Sequence, residues 1–401
     1  MTDPVSKLLQ QQPAGRSLLR GFYTEPAVYR AELARIVYPN WFVAGHQSEW
    51  QAPGDFRVFE VADESAIIVL GEDGELRAFA NVCRHRGSRV CLEPSGTTRA
   101  FSCPYHGWKY SLDGALVAAR SMPDGFDKSD YGLRPVSIGI VHGIVLICFS
   151  DSPPSLDGAV HDLEEPMHVL DFEGMKVAAR RSYAIPANWK LAVENYQECY
   201  HCSTSHPEYA RMHTLTIDHR RRGPLQDALK DKLADSPLPD RVVDRLDTKA
   251  RDGEMGYGYS RTALFEGYLT GSRDGQPVAP LLGELTSYDG GASDFSFGAF
   301  SFMLAYSDHV VCYVFKPVDL ENCCCEITWF VRGDAEASKD YDVDELVWLW
   351  DITTQADMKI ITDNYAGVKS RYYEPGPFSE MEAAESVYVS WLLTELGRVT
   401  S

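Results

Sequence analysis

Cys83-Arg-His85 and, beyond residues 86–102, Cys103-Pro-Tyr-His106 are the two stretches that decide how this chain is read. Each half carries one thiol and one imidazole, as C-x-H first and C-x₂-H second, and each runs into a turn-forming glycine, Gly87 or Gly107. Two such loops set face to face present two thiolates and two imidazoles to one cluster. Thiolates suit one iron of a [2Fe–2S] cluster, and imidazoles replacing two thiolates on the other iron raise its reduction potential. The competing reading is a Cys₂His₂ zinc site, but zinc knuckles usually carry both thiols in one half. The mixed halves therefore point to an iron–sulfur cluster held by Cys83, His85, Cys103 and His106.

Outward from these loops the chain reads as β structure. Ala66-Ile-Ile-Val-Leu70 and Leu76-Arg-Ala-Phe79 flank Gly71-Glu-Asp-Gly74, which predicts a hairpin. Tyr110-Ser-Leu-Asp-Gly114 is a further turn signal, and Gly139 to Phe149 reads as one buried strand. Residues 40–155 are thus expected to form a small all-β domain, preceded by a segment, 1–39, that packs on the second domain. Asp151-Ser-Pro-Pro-Ser-Leu-Asp-Gly158 reads as a linker. In the second domain, 160–401, Val177 to Ile185 reads as a strand. Phe295 to Phe330 reads as antiparallel strands turning at Ser307-Asp308 and Asp319–Asn322. Helices are expected over Trp189 to His201, over Asp342 to Tyr365, and from Ser379, where Ser379 and Glu382 make a capping box. The fold class is α+β, with helices covering one antiparallel sheet. Residues 221–291, rich in Gly, Pro and Asp, read as a lid, a subunit contact or irregular surface.

The second domain carries its own constellation. Glu194, Glu198 and His201 fall on one face of the expected helix, while His201 and His206 would diverge by about 140° on a continuous one. The two imidazoles meet on one metal only if the helix ends or distorts after His201, and Pro207 makes such an ending plausible. Two imidazoles and one carboxylate on one side of an iron leave positions open for O₂. Asp357 is the expected third ligand. It lies on the apolar stripe of Leu346, Trp350, Thr353 and Ile361, where a carboxylate is costly unless paired or bound to metal. Asp351 and Asp363, on other faces, are the runners-up.

Cys83-Arg-His-Arg-Gly87 and Cys103-Pro-Tyr-His-Gly-Trp108 resemble the cluster loops of Rieske non-haem iron oxygenases, and Glu194 to His206 resembles that family's E-N-x₂-E/D-x-Y-H-x₄-H motif. The resemblance implies a Rieske β domain and a helix-grip-like catalytic domain with a mononuclear Fe(II) on His201, His206 and Asp357. It implies that Glu198 bridges the cluster of one subunit to the iron of the next within a ring of three, and that Glu198 and Asn195 are essential without touching iron. Glu at position 198, together with Gly367-Val-Lys-Ser370 and Tyr373-Glu-Pro-Gly-Pro-Phe-Ser379, is similar to the branch that oxidises quaternary ammonium or betaine compounds. Hydroxylation or N-demethylation of such a compound, held by cation–π contacts, is the expected activity. Aromatic-ring dioxygenation, as in aromatic hydrocarbon catabolism, is the alternative.

The remaining composition sets bounds. A net charge of −20 argues against nucleic acid as a partner. Met1 to Arg20 is polar, and no apolar run is long enough for a transmembrane helix, so a cytoplasmic protein is expected. The ten Cys do not look like a disulfide framework, since Cys323, Cys324 and Cys325 are consecutive. Cys148 and Cys91 are expected to be packed free thiols. No G-x-G-x-x-G fingerprint is present. NAD(P)H is therefore expected to act only through a separate reductase, with or without a ferredoxin. An electron carrier without oxygenase activity is a further alternative, one that has no need of an iron triad.

Overall fold

The structure, a computed structural model, describes residues 4–217, 219–245 and 253–398. The first strands are β1 (Phe42–His46), β2 (Asp55–Val61), β3 (Glu64–Leu70), β4 (Leu76–Ala80), β5 (Ser95–Thr97), β6 (Phe101–Ser102), β7 (Lys109–Tyr110), β8 (Leu116–Ala118), β9 (Pro135–Val141) and β10 (Ile144–Cys148). One antiparallel sheet runs β1-β10-β9-β4-β3-β2-β5, and β6, β7 and β8 form a small second one. In β3 alternate side chains serve two cores. Ile67 and Val69 face the cluster of side chains around Cys83 and Cys103, whereas Ala66 and Ile68 join the main core.

The expected hairpin at Gly71–Gly74 forms, with Leu70 paired to Leu76. The single strand expected over Gly139 to Phe149 is instead a second hairpin, β9 with β10. His142 and Gly143 reverse the chain at φ 45° and 86°, the left-handed pair that a two-residue type I′ turn requires. A Cβ on Gly143 would lie 2.8 Å from His46 Nε2, so this turn is seated against β1.

The second sheet consists of β11 (Met175–Ile185), β12 (Val243–Asp244), β13 (Tyr257–Ala263), β14 (Gly291–Phe297), β15 (Ser301–Ala305), β16 (Val310–Pro317) and β17 (Cys323–Arg332), in the order β11-β17-β16-β15-β14-β13-β12. Its tight turns fall where the sequence placed them, between Ala305 and Val310 and between Pro317 and Cys323. The stretch 221–291 contributes β12, β13 and most of the helix His219–Lys230, while its residues 246–252 lie outside the described ones. The helix Val343–Val368 starts at Asp342, whose carboxylate accepts from the Asp344 and Glu345 amides at 2.9 and 3.1 Å. Leu346, Trp350, Thr353 and Ile361 are buried, so the stripe that carries Asp357 faces inward. The capping box of Ser379 and Glu382 forms and leads into the helix Ala383–Gly397. The molecule is α+β, a small β domain joined to a helix-covered antiparallel sheet. No helix among the described residues is long and apolar enough to cross a membrane.

The two sheets share one core. Phe42 of β1 stacks on Phe300 at 4.6 Å. Arg57 of β2 reaches Glu49 at 3.1 Å and Glu326 of β17 at 2.7 Å, and Arg180 of β11 reaches Glu49 at 2.7 Å. The N-terminal residues clasp the helix Trp189–Gln197: Tyr23 donates to Glu194 Oε2 at 2.8 Å, and Trp189 Nε1 donates to Glu32 Oε2 at 3.0 Å.

Candidate metal centres

The two thiol–imidazole loops share one backbone plan. Cys83 N donates to Ser88 O at 2.8 Å and Gly87 N returns to Cys83 O at 2.9 Å; Cys103 N donates to Trp108 O at 2.8 Å and Gly107 N to Cys103 O at 3.0 Å. Gly87 and Gly107 close the loops at φ 77° and 72°, a conformation a Cβ disfavours. The turn sends each thiol inward and each imidazole outward: Cys83 and Cys103 are buried, His85 and His106 exposed. The two Nδ1 atoms face each other at 3.1 Å. His85 lies flat on Trp108, centroids 4.8 Å apart, and the Tyr110 hydroxyl takes the Arg84 amide at 3.0 Å beside Cys83 Sγ. Two buried sulfurs on one side and two converging ring nitrogens on the other fit a [2Fe–2S] cluster with one pair on each iron. Cys91 is a free, half-buried thiol and Cys148 a free, buried one.

The helix expected over Trp189 to His201 stops at Gln197. Glu198 turns extended, at φ −132° and ψ 161°, and its carboxylate captures the amides of Tyr200 and His201 and also His201 Nδ1, the last at 2.5 Å. A short helix, Cys202–Ser205, follows, and another starts at Pro207. Glu194, Glu198 and His201 therefore do not share a helix face. The break that unites the two imidazoles comes before His201, and a second reversal comes at His206.

The result is a convergence of three donors. Asp357 Oδ1 lies 3.3 Å from His201 Nε2 and 3.1 Å from His206 Nε2, the rings perpendicular and 5.0 Å apart. Asp357 Oδ1 is buried and makes no well-directed hydrogen bond. With Nδ1 of His201 engaged by Glu198, Nε2 is the atom left for a metal. Asn195 Nδ2 lies 3.4 Å from that Nε2. Burial opposes charge on His201, yet Asp357 and Glu198 override it and push the imidazole up to about 10. Burial likewise opposes charge on Asp357, and the two imidazoles still hold its carboxyl below the usual range. The three side chains thus favour a positive charge between them, as a divalent metal would provide. Cys202 Sγ lies near the two imidazoles, but its partner Cys199, with burial, holds the thiol far up. The runners-up have other partners: Asp351 takes Tyr183 at 2.6 Å and Arg181 at 2.7 Å, and exposed Asp363 pairs with Lys359.

Beside the triad opens a cavity of about 240 Å³ lined by Tyr196, Tyr209, Asp294, Leu304, Tyr313 and Trp350 among others. Tyr209 and Tyr313 lie 5.4 and 5.8 Å from Trp350, and Tyr196 5.3 Å from Tyr313. The sheet supplies the floor through Asp294, Leu304 and Tyr313, and helices supply the roof. Sequence reasoning did not single out this wall, apart from Trp350 as a stripe residue. Its one local signal is Asp294, a lone acid inside the apolar strand Gly291–Phe297.

Residues 40–133 match the Rieske [2Fe-2S] domain and residues 172–396 the catalytic domain of the ring hydroxylating alpha subunit. The glycine betaine monooxygenase oxygenase subunit of Chromohalobacter salexigens is 31% identical over 97% of this chain and 88% of its own length. That of Pseudomonas aeruginosa is 32% identical over 93% and 87%. A solved quaternary ammonium Rieske monooxygenase superposes with a TM-score of 0.72 at 23% identity, covering 97% of both chains. These matches decide against the zinc reading and against a simple electron carrier. The chain belongs to the Rieske non-haem iron oxygenases, as an oxygenase alpha subunit with a [2Fe–2S] cluster and a mononuclear iron.

Proposed function

We propose that this oxygenase hydroxylates a small quaternary ammonium compound at a carbon next to nitrogen, releasing formaldehyde when that carbon is a methyl. One observation carries the reading: the cavity at the triad is walled by Tyr196, Tyr209, Tyr313 and Trp350, the aromatic surround that attracts a desolvated ammonium. The names of its relatives point the same way. Cys83, His85, Cys103 and His106 hold the cluster, in a domain spanning 40–155. His201, His206 and Asp357 hold the iron, in a domain spanning 160–401, with residues 1–39 packed on it. Iron, when bound, supplies O₂ activation; the chain supplies position, charge and exclusion of water.

Glu198 fixes the tautomer and tilt of His201 and, in a homotrimer, meets the exposed His85 or His106 of a neighbour, so that electrons pass between subunits. Asn195 steadies the other side of the same ring. Electrons come from a separate NAD(P)H-dependent reductase, through a ferredoxin or directly, which places the enzyme in the cytoplasm. Glu198→Gln is expected to lower turnover about 10- to 100-fold, the usual loss when a ligand-orienting group is removed. Reduction of the cluster by the reductase should be unchanged, and single-turnover product formation slowed. Unchanged single-turnover kinetics would remove the bridging role.

A substrate screen with a surrogate reductase tests the function. Formaldehyde from methylammonium compounds is expected, and no turnover with NADH alone. Diols from arenes, without oxidation of any ammonium compound, would replace this reading with aromatic-ring dioxygenation.

A further inference from the structure

Asp294 is the one acid of the iron cavity that neither holds a metal ligand nor serves as one. It stands at the centre of β14, where every other residue is buried and it alone is solvent-accessible. The solvent it meets is inside the cleft. Asp294, Tyr196 and Gln197 line both the iron cavity and a second cavity of about 400 Å³ that continues past Val243, Tyr259 and Phe302. Asp294 therefore sits where the two join. Among the described residues no hydrogen bond or salt bridge reaches its carboxylate. The protein walls around the cleft push its carboxyl up, and burial first, then the charge of Asp294, raises the hydroxyls of Tyr196 and Tyr306. An acid so placed is relieved by a cation.

The rest of the lining decides which cation. No Lys or Arg lines either cavity among the described residues, and the outer one adds a second acid, Asp244. A substrate bearing its own carboxylate would bring like charge to Asp294, with no lysine or arginine among the described lining residues to offset it.

We propose that Asp294 is the specificity-determining residue of the cavity and that it selects ammonium substrates lacking a carboxylate over zwitterionic betaines. The methyl groups rest on Tyr196, Tyr209, Tyr313 and Trp350, and Asp294 supplies the counter-charge at the mouth of the iron cavity. This rests on the quaternary-ammonium reading of the same site. It separates the chain from the glycine betaine monooxygenase subunits, whose named substrate carries a carboxylate.

The test uses the iron- and cluster-loaded enzyme with a surrogate reductase, comparing choline, tetramethylammonium, glycine betaine and toluene. Choline is expected to exceed glycine betaine in kcat/KM by about tenfold or more. The isosteric Asp294→Asn should raise KM for choline about tenfold with kcat nearly held, and narrow the choline-to-betaine ratio. A wild-type enzyme that prefers glycine betaine overturns the proposal, as does a folded Asp294→Asn enzyme with an unchanged ratio. Should that variant not fold, wild-type dissociation constants for choline and glycine betaine, measured by calorimetry, decide by the same ratio. Oxidation of toluene alone, with no ammonium compound bound, would defeat the quaternary-ammonium reading itself. A preference for glycine betaine defeats only the selectivity.

Discussion

Asp357→Ala is expected to abolish oxygenation while the cluster keeps its full visible and EPR signal. Asp357 Oδ1 is the carboxylate atom that faces both His201 Nε2 and His206 Nε2, at 3.3 and 3.1 Å. Without it two imidazoles remain, too few to hold Fe(II) in the facial arrangement. The cluster loops belong to a different core, built on Phe79, Phe101, Trp108 and Tyr110, so the loss does not propagate there. Iron per chain should fall from about three to about two, since a [2Fe–2S] cluster accounts for two. Acid-labile sulfide should stay constant. Asp351→Ala is the control: that acid serves Tyr183 and Arg181, so its loss leaves the iron in place. Retention of the third iron by Asp357→Ala, or its loss from Asp351→Ala, would reassign the ligand.

What the sequence disclosed follows from how locally each feature is encoded. The facing of the two thiol–imidazole loops was legible because thiols, imidazoles, turn glycines and spacing lie together in Cys83–Gly87 and Cys103–Trp108. That Asp357 would meet a partner was legible because a carboxylate on the stripe of Leu346, Trp350 and Ile361 breaks the pattern, and the structure sets it 3.3 and 3.1 Å from the two imidazoles. The meeting of His201 and His206 was legible only as a condition, a break in the helix. The break falls earlier than expected because Glu198 trades its helical position for the amides of Tyr200 and His201, a competition that period and propensity do not reveal. The β9–β10 hairpin was hidden because His142-Gly143 lies inside an otherwise apolar run. The substrate wall was the least legible. Tyr196, Tyr209, Asp294, Tyr313 and Trp350 come from five separate elements, and each taken alone reads as core packing or a stray acid. Sheet order and helix placement are what bring them together.

Lys190→Met is expected to be the most damaging change away from either metal site. Lys190 and Glu32 are both fully buried, with Nζ and Oε1 2.6 Å apart. Lys190 also lies 5.7 Å from the Tyr23 ring and 5.0 Å from the Trp189 ring. Burial lowers the Lys190 pKa, and the charge of Glu32 resists that drop. Removing one partner strands the other charge, a loss of about 3–5 kcal/mol in similar buried pairs. Replacing both, as Lys190→Met with Glu32→Gln, removes the charge stranded at Glu32 and should recover part of that loss, the remainder reflecting buried Glu194, which also faces Lys190. The pair matters beyond stability, because Lys190 stands on the helix Trp189–Gln197, which runs directly into Glu198 and His201. The single variant should therefore lose mononuclear iron on mild heating before the cluster bleaches. Chemical denaturation of the two singles and the double closes the cycle. A single-variant cost below about 1 kcal/mol, the range of exposed pairs, or a double variant as unstable as the sum of the singles, would show that Glu32 and Lys190 do not act as one unit.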